Sequence, residues 1–272
     1  MTSPSTPIPS PALLHRSPYD VRDWRYGNLV ATATTPLATA ITQPDVIDYR
    51  AQMREVRNQG QRGTCASFAS AAMKEWQELK DIGYKSYMSP EFIYDQRENQ
   101  EVDQGMYLRD VMKILSTFGS CPEALCPYVT DPGIRTKANI PQVAFDVGQK
   151  FTIQSYAAVF TEDEFKTALA FSGPCLIAFP CYNGSASFWK PSKATDPIPG
   201  GHAVLCVGYT KDGYIIRNSW GASWNDKGYT IYPYGDWGAH WEIWSSVDAK
   251  SQPYTPPVPP VPTPTKPCCS LQ

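Results

Sequence analysis

The sequence predicts an α+β fold of two packed lobes with a cleft between them, and three observations carry that prediction. Between residues 43 and 252 the first half has helical spacing, and from about Phe151 the pattern turns strand-like. Helices first and strands afterwards point to segregated layers rather than to an alternating parallel sheet. The chain of 272 residues, 42% hydrophobic and 12% aromatic, is long enough to bury a real core. Two lobes packed side by side leave a groove where a substrate can lie.

Residues 1–42 are rich in Pro, Ser, Thr and Ala and read as an irregular N-terminal extension. In the body, Phe68, Ala72, Trp76 and Leu79 recur at spacings of four, four and three. They predict a helix that begins at Cys65 and stops at Gly83. Ser89-Pro90 opens a second helix, with Ser as N-cap and Pro at the first helical position. Leu108, Val111, Met112 and Leu115 form a third, closed by Gly119. Beyond Phe151, residues 203–209 (AVLCVGY), 214–220 (YIIRNSW) and 229–234 (YTIYPY) are short β-branched and aromatic runs, and Asp212-Gly213 marks a turn. Residues 253–272 are a Pro-dense tail that favours extended polyproline conformations and cannot build a core.

The bulk numbers also exclude partners. Basic residues number 24 against 26 acidic, with no basic block, so nucleic acid is not an expected partner. No stretch approaches the ~20 apolar residues that span a bilayer. The first twenty residues lack the basic start and apolar run of a secretory signal, which makes a cytoplasmic location the expectation. Eight cysteines are present, but Cys65, Cys121, Cys126, Cys175, Cys181 and Cys206 are scattered. No C-x-x-C pair suggests zinc, and a reducing compartment keeps such thiols free, as small buried hydrophobes.

The chemistry concentrates around Cys65. A cysteine at a helix start meets exposed backbone N–H groups and the positive end of the macrodipole, both of which favour the nucleophilic thiolate. Six residues upstream, Gln59 sits in a Gly-flanked turn. Its side-chain amide, with the Cys65 backbone N–H, would make an oxyanion hole for a tetrahedral intermediate. The thiolate needs a base, and the chain holds three histidines. His15 lies in the extension and His240 in a Trp-rich segment. His202 follows Gly200-Gly201 at the mouth of a strand, where glycines let a substrate backbone approach, so it is the expected base. Asn218, at the end of the next strand, can accept the imidazole N–H and orient the ring. Trp220 can cover that bond from water. Each of these residues also has a bland reading, as buried thiol, turn residue, loop hydrogen-bonder or core aromatic.

Together, NQGQRGTCASFA, GGHAVLCVGY and IIRNSWGASWNDKGYTIY resemble the papain/cathepsin family of cysteine peptidases. In that family His and Asn follow the Cys by about 130–150 residues. Here the offsets are 202 − 65 = 137 and 218 − 65 = 153, in the order Cys, His, Asn. The likeness covers roughly residues 43–248 and includes SPEFIYDQRE and the Gly-x-Cys-Pro-Glu stretch at 119–123. It implies a papain-like two-lobe fold with a helical left lobe, an antiparallel β-barrel-like right lobe, and the active-site cleft between them. It implies Cys65 as nucleophile, His202 as acid/base, Asn218 as orienter and Gln59 as oxyanion donor, with a thiolate–imidazolium pair at rest. The activity would be peptide-bond hydrolysis, with endopeptidase action the default, polypeptides as substrates, a monomer, and no metal or organic cofactor.

The departures are informative. The family usually reads C-G-S-C-W at the nucleophile, whereas this chain reads R-G-T-C-A, so Arg62 replaces a disulfide cysteine and Ala66 an aromatic. Arg62 is expected to add positive charge near the thiolate. The long helical propeptide of the family is replaced by a candidate short one, residues 1–42.

At the tail, Cys269-Ser270-Leu271-Gln272 fits a C-a-a-X prenylation box except for Ser270, and Cys268 could take a second lipid. Membrane attachment through the tail is the corresponding expectation. Two rival functions stand beside the peptidase reading. One is an acyl transferase or transpeptidase with the same Cys–His machinery; the other is an adaptor whose P-x-x-P pattern at Pro259 to Pro262 docks on an SH3-like groove.

Overall fold

The computed structural model describes residues 13–28, 43–98, 105–131, 133, 135–193, 195–198 and 200–249. The expectations for Cys268, Cys269 and the rest of the tail lie outside the described residues. Among the described residues no helix is long and apolar enough to cross a membrane.

The first lobe is built on helix α1 (Cys65–Ile82). Every residue from Cys65 to Glu78 is buried, so the expected single apolar stripe is instead a helix enclosed on all sides. Its polar members are paired: Lys74 Nζ lies 2.7 Å from Glu78 and also meets Asp248 in the last strand. Gly83 ends the helix at φ +68°, a left-handed conformation that only Gly adopts without steric cost. Helix α2 (Pro90–Tyr94) starts as its sequence dictates: Ser89 Oγ accepts the Phe92 N–H at 2.9 Å, and Pro occupies the first turn. Helix α3 spans Leu108–Thr117 and buries Leu108, Val111, Met112 and Leu115.

The second lobe is an antiparallel sheet of seven strands. They are β1 (Ile47–Asp48), β2 (Ile153–Val159), β3 (Cys175–Pro180), β4 (Gly201–Thr210), β5 (Gly213–Arg217), β6 (Tyr229–Tyr232) and β7 (Glu242–Asp248). Strand order is β2-β7-β3-β4-β5-β6, and β1 pairs with β4. Two helices precede or interrupt the strands, α4 (Gln142–Gly148) and α5 (Glu162–Phe171). The strand-like reading of the second half missed α5, although Thr161 and Glu164 form its capping box.

The sheet has two buried faces. Along β3 and β4, Leu176, Ala178, Ala203, Leu205 and Val207 face the cluster that includes α1 and α3. Cys175, Ile177, Phe179, Val204 and Cys206 face a second, aromatic-rich cluster with Phe165 and Leu169 of α5. Burial on both faces explains why these strands read as continuous apolar runs rather than as alternation. Helix α1 packs directly on β4, so the start of the helix meets the start of the strand. That junction joins residue 65 to residue 202. The six described cysteines are all buried with free thiols.

Candidate active site

Cys65 is the first residue of α1, and its Sγ accepts the N–H of Ala203 at 3.4 Å. The sulfur therefore lies against the peptide that joins His202 to Ala203. His202 is the second residue of β4 and is 1% exposed. Its Nε2 is 2.7 Å from Asn218 Oδ1, which also accepts the Ser219 N–H at 2.7 Å. An oxygen that takes a backbone N–H is an acceptor, so Nε2 carries the proton and Nδ1 is left with its lone pair. Trp220 stacks on the imidazole with centroids 4.6 Å apart and planes 20° apart, and the edge of Phe188 meets the same ring. The His202–Asn218 bond is thereby shut off from water.

Gln59 is fully buried. Ser219 Oγ donates to its Oε1 at 2.6 Å, and its Nε2 donates to Arg62 O at 2.9 Å. An amide nitrogen has two hydrogens, so one N–H of Gln59 has its partner in Arg62 and a second is available. Backbone bonds tie this loop to the loop that carries Asn218: Gln59 N–H donates to Ser219 O at 2.9 Å, and Gly221 N–H to Arg57 O at 3.1 Å. Thus Cys65, His202, Asn218, Gln59 and Trp220 converge on one junction between the lobes. His240 lies elsewhere, its Nδ1 3.1 Å from Tyr232 OH.

Ser219, Phe188 and Leu14 were not singled out from the sequence. Ser219 had a signal, since it stands between Asn218 and Trp220. Phe188 carried none. Leu14 belongs to the Leu13-Leu14 pair, which interrupts the Pro- and Ser-rich extension.

The extension crosses the site. Leu14 forms an antiparallel bridge with Gly201, N–H to O at 3.0 Å in one direction and 3.1 Å in the other. His15 bridges Tyr107 on the facing lobe. The backbone sits so close that a Cβ at Gly105 would lie 1.7 Å from Leu13 O, and one at Gly201 2.5 Å from Leu14 O. The Leu14 side chain is buried in the same cluster as Cys65, Met106, Ala178 and Ala203. Further along, Ser17 N–H donates to Glu242 at 3.0 Å and Arg109 Nε to Asp23 at 2.8 Å. Tyr26 OH then meets Ser172 Oγ at 3.0 Å. The glycines that let a backbone approach hold the protein's own chain.

Burial sets the protonation of the pair. Burial pushes the Cys65 thiol up to about 11, although the N–H groups of Ala203, Ala66 and Cys65 pull the other way. Burial also lowers His202 to about 4, against the bond to Asn218. The covered site thus favours neutral thiol beside neutral imidazole, rather than the resting ion pair that the resemblance implies. Nor does Arg62 direct its charge at the sulfur. Its guanidinium forks onto Glu91, at 2.6 and 3.0 Å, because a buried cation is held by the nearest buried carboxylate.

Comparison with known proteins identifies the family. Residues 43–243 match the family model described as papain family cysteine protease. Cathepsin K of Mus musculus is 30% identical over 207 residues, 69% of this chain and 59% of that protein. Cysteine proteinase 2 of Zea mays is 28% identical over 213 residues, 71% of this chain and 56% of the relative. The chain therefore spans under two thirds of the length of these curated relatives. Xylellain, a cysteine protease from Xylella fastidiosa, superposes with a TM-score of 0.72 at 25% identity, covering 92% of this chain and 99% of that one. The papain-like fold and the match over most of its length show that the chain belongs to the papain family of cysteine proteases.

Proposed function

We propose that this chain is a cysteine peptidase, acting as an endopeptidase, and that its N-terminal segment holds it shut. One observation carries the reading: an imidazole whose Nε2 is bound to Asn218 keeps Nδ1 for a proton, and the Cys65 sulfur lies against the same residue's peptide. Uncovered and hydrated, the helix-start N–H groups favour thiolate, and His202 takes the proton. Sγ attacks the substrate carbonyl carbon. The developing oxyanion is held by the Cys65 N–H and the second N–H of Gln59. His202 returns the proton to the leaving amine, which departs as the thioester forms. Water then attacks the thioester, His202 accepts its proton, and the thiolate is released with the acid product.

In this reading the same residues hold the covered chain inactive. Leu14 is buried in the cluster that holds Cys65 and hydrogen-bonds Gly201, the residue before His202, through its backbone, as a bound polypeptide would. Removing the cover exposes both reacting groups.

The test uses the full-length chain, its Leu14→Asp variant and Cys65→Ala. Intact mass after exposure to an epoxysuccinyl reagent should show slow single labelling at Cys65, at least tenfold faster in Leu14→Asp and absent in Cys65→Ala. A peptide library should be cleaved by the Leu14→Asp chain at internal bonds. Labelling of Cys65 without any cleavage would sink the peptidase reading. Transfer of the acyl group to an added amine in preference to water would favour the transferase instead.

A further inference from the structure

The loop between Gln59 and Cys65 is held from behind by a buried charge cluster that none of the steps above uses. Arg62 is 5% exposed, and its Nη1 and Nη2 donate to the two oxygens of Glu91 at 2.6 and 3.0 Å. Nη1 also reaches Val129 O. The guanidinium lies 5.1 Å from the ring of Tyr94 and 5.0 Å from that of Tyr128. Glu91, fully buried on α2, is held in turn by Arg135 Nε at 3.0 Å and by the Val129 N–H at 3.2 Å. Arg135 bonds Asp95 at 2.9 Å, so two cations face two carboxylates. Tyr128 closes the set, with its OH donating to Gln59 O at 2.6 Å and lying 3.0 Å from Thr64 Oγ1.

The near end of Arg62 is what matters for chemistry. Its carbonyl accepts the Gln59 Nε2–H at 2.9 Å and the Thr64 N–H at 2.8 Å. One peptide group thus sets both the aim of the Gln59 amide and the backbone position immediately before Cys65. A side chain clamped at its tip by a bidentate carboxylate and two rings fixes the carbonyl at its base. Lysine, a point charge on a flexible stem, would not reproduce that fork.

We propose that Arg62 is a positioning residue, whose guanidinium, forked onto Glu91 and set between Tyr94 and Tyr128, fixes the carbonyl that aims the Gln59 amide at the oxyanion of the acylation step. It deepens the peptidase reading and rests on it. A charge cluster that only stabilised the fold would lower every reaction of Cys65 together. A positioning device lowers only the reactions that develop an oxyanion. Alkylation of the thiolate by iodoacetamide displaces iodide at a saturated carbon, with no carbonyl charge to stabilise, whereas amide hydrolysis depends on that charge.

The experiment places Arg62→Met, Arg62→Lys, Glu91→Gln, Gln59→Ala and the Arg62→Met/Gln59→Ala double variant in the full-length Leu14→Asp chain. Peptide hydrolysis and iodoacetamide alkylation are measured on each. Arg62→Met should lose roughly 10²-fold in kcat, the size of one misplaced oxyanion donor, with KM within about threefold and alkylation within about twofold of the parent. Gln59→Ala should lose a similar factor, and the double variant little more than Gln59→Ala alone. Arg62→Lys should recover only part. Should Arg62→Met fail to fold, Glu91→Gln, the same shape without the charge, carries the same comparison with a loss of roughly tenfold. Unchanged hydrolysis in the Arg62 and Glu91 variants overturns the proposal. So does alkylation that falls in step with hydrolysis, or losses that multiply with Gln59→Ala. If the Leu14→Asp parent itself alkylates but does not hydrolyse, the peptidase reading has failed, which is a different result from an active parent with indifferent variants.

Discussion

Ser219 serves both halves of the site at once, with its hydroxyl on Gln59 Oε1 and its N–H on Asn218 Oδ1. Both contacts fix the sense of an amide: the first turns Gln59 Nε2 towards Arg62, the second makes Asn218 Oδ1 the acceptor for His202. Ser219→Ala leaves a buried carbonyl oxygen without its donor, which costs about 1–3 kcal/mol. The expected outcome is an unfolding free energy lower by that amount and a drop of roughly tenfold in kcat, read from denaturant unfolding and peptide hydrolysis. His202 makes a second prediction at this scale. Its imidazole is depressed by burial to about 4 in the folded chain, whereas in the unfolded chain it titrates near 6.5. Between those values the unfolded chain binds a proton at this ring that the folded chain refuses. The stability this ring contributes is thus full above pH 6.5 and is lost as pH falls towards 4, by on the order of 2 kcal/mol at pH 5. Urea unfolding at pH 7 and pH 5 should show that loss, and in His202→Gln, which has no proton to bind there, the loss should shrink by the same amount.

Elements differ in how plainly the sequence announced them. Helix α1 was legible at both ends, because Gly83 supplies the left-handed residue that stops it. Helix α2 was legible from Ser89-Pro90 alone, whose side chain and ring act within one turn. Strands β4, β5 and β6 stood out because burial on both faces or aromatic cross-strand packing demands β-branched and aromatic runs. Helix α5 was missed since its capping box lies among strand-like neighbours and its buried stripe is short, only Phe165, Ala168 and Leu169. Gly119, read as a helix stop, turns out to have a stronger reason to be glycine. It sits at φ +70°, and a Cβ there would lie 2.0 Å from Gly148 O and 2.8 Å from Phe151 O. Backbone atoms cannot move aside as a flexible side chain can. Gly119→Ala should therefore lower Tm far more than Gly83→Ala, where the left-handed φ is the same kind but nothing lies within 4 Å. Thermal unfolding of the two variants side by side checks the difference.

At the scale of the whole molecule, residues 13–28 bridge the two lobes. Arg109 on α3 holds Asp23, while Glu242 on β7 holds Ser17, and Ala158 N–H on β2 donates to Trp24 O at 2.8 Å. The bridging segment, Arg109 and the strands around Glu242 line a cavity of about 600 Å³. Removing one attachment should loosen the cover without touching the reacting groups. In Arg109→Ala the epoxysuccinyl reagent should label Cys65 several-fold faster than in the parent, with the rate in the Leu14→Asp chain as the upper limit. Equal rates in Arg109→Ala and parent would mean that Asp23 is not a working latch.

The residues of the site and their order were decided by the sequence alone, since thiol, imidazole and two amides are recognised by type, by local Gly and helix-start context, and by spacing. The α+β division was equally a property of the sequence, because side-chain periodicity is local. What the tertiary structure decided is everything that depends on which distant groups share a dry interior. It put Ser219 between two amides, turned the Arg62 charge onto Glu91 instead of the sulfur, and laid Leu14 across the groove. The neutral state of the Cys65–His202 pair followed from the burial of both groups. Burial and hydrogen-bond pairing across more than a hundred residues of chain are set by packing, and no local pattern encodes them.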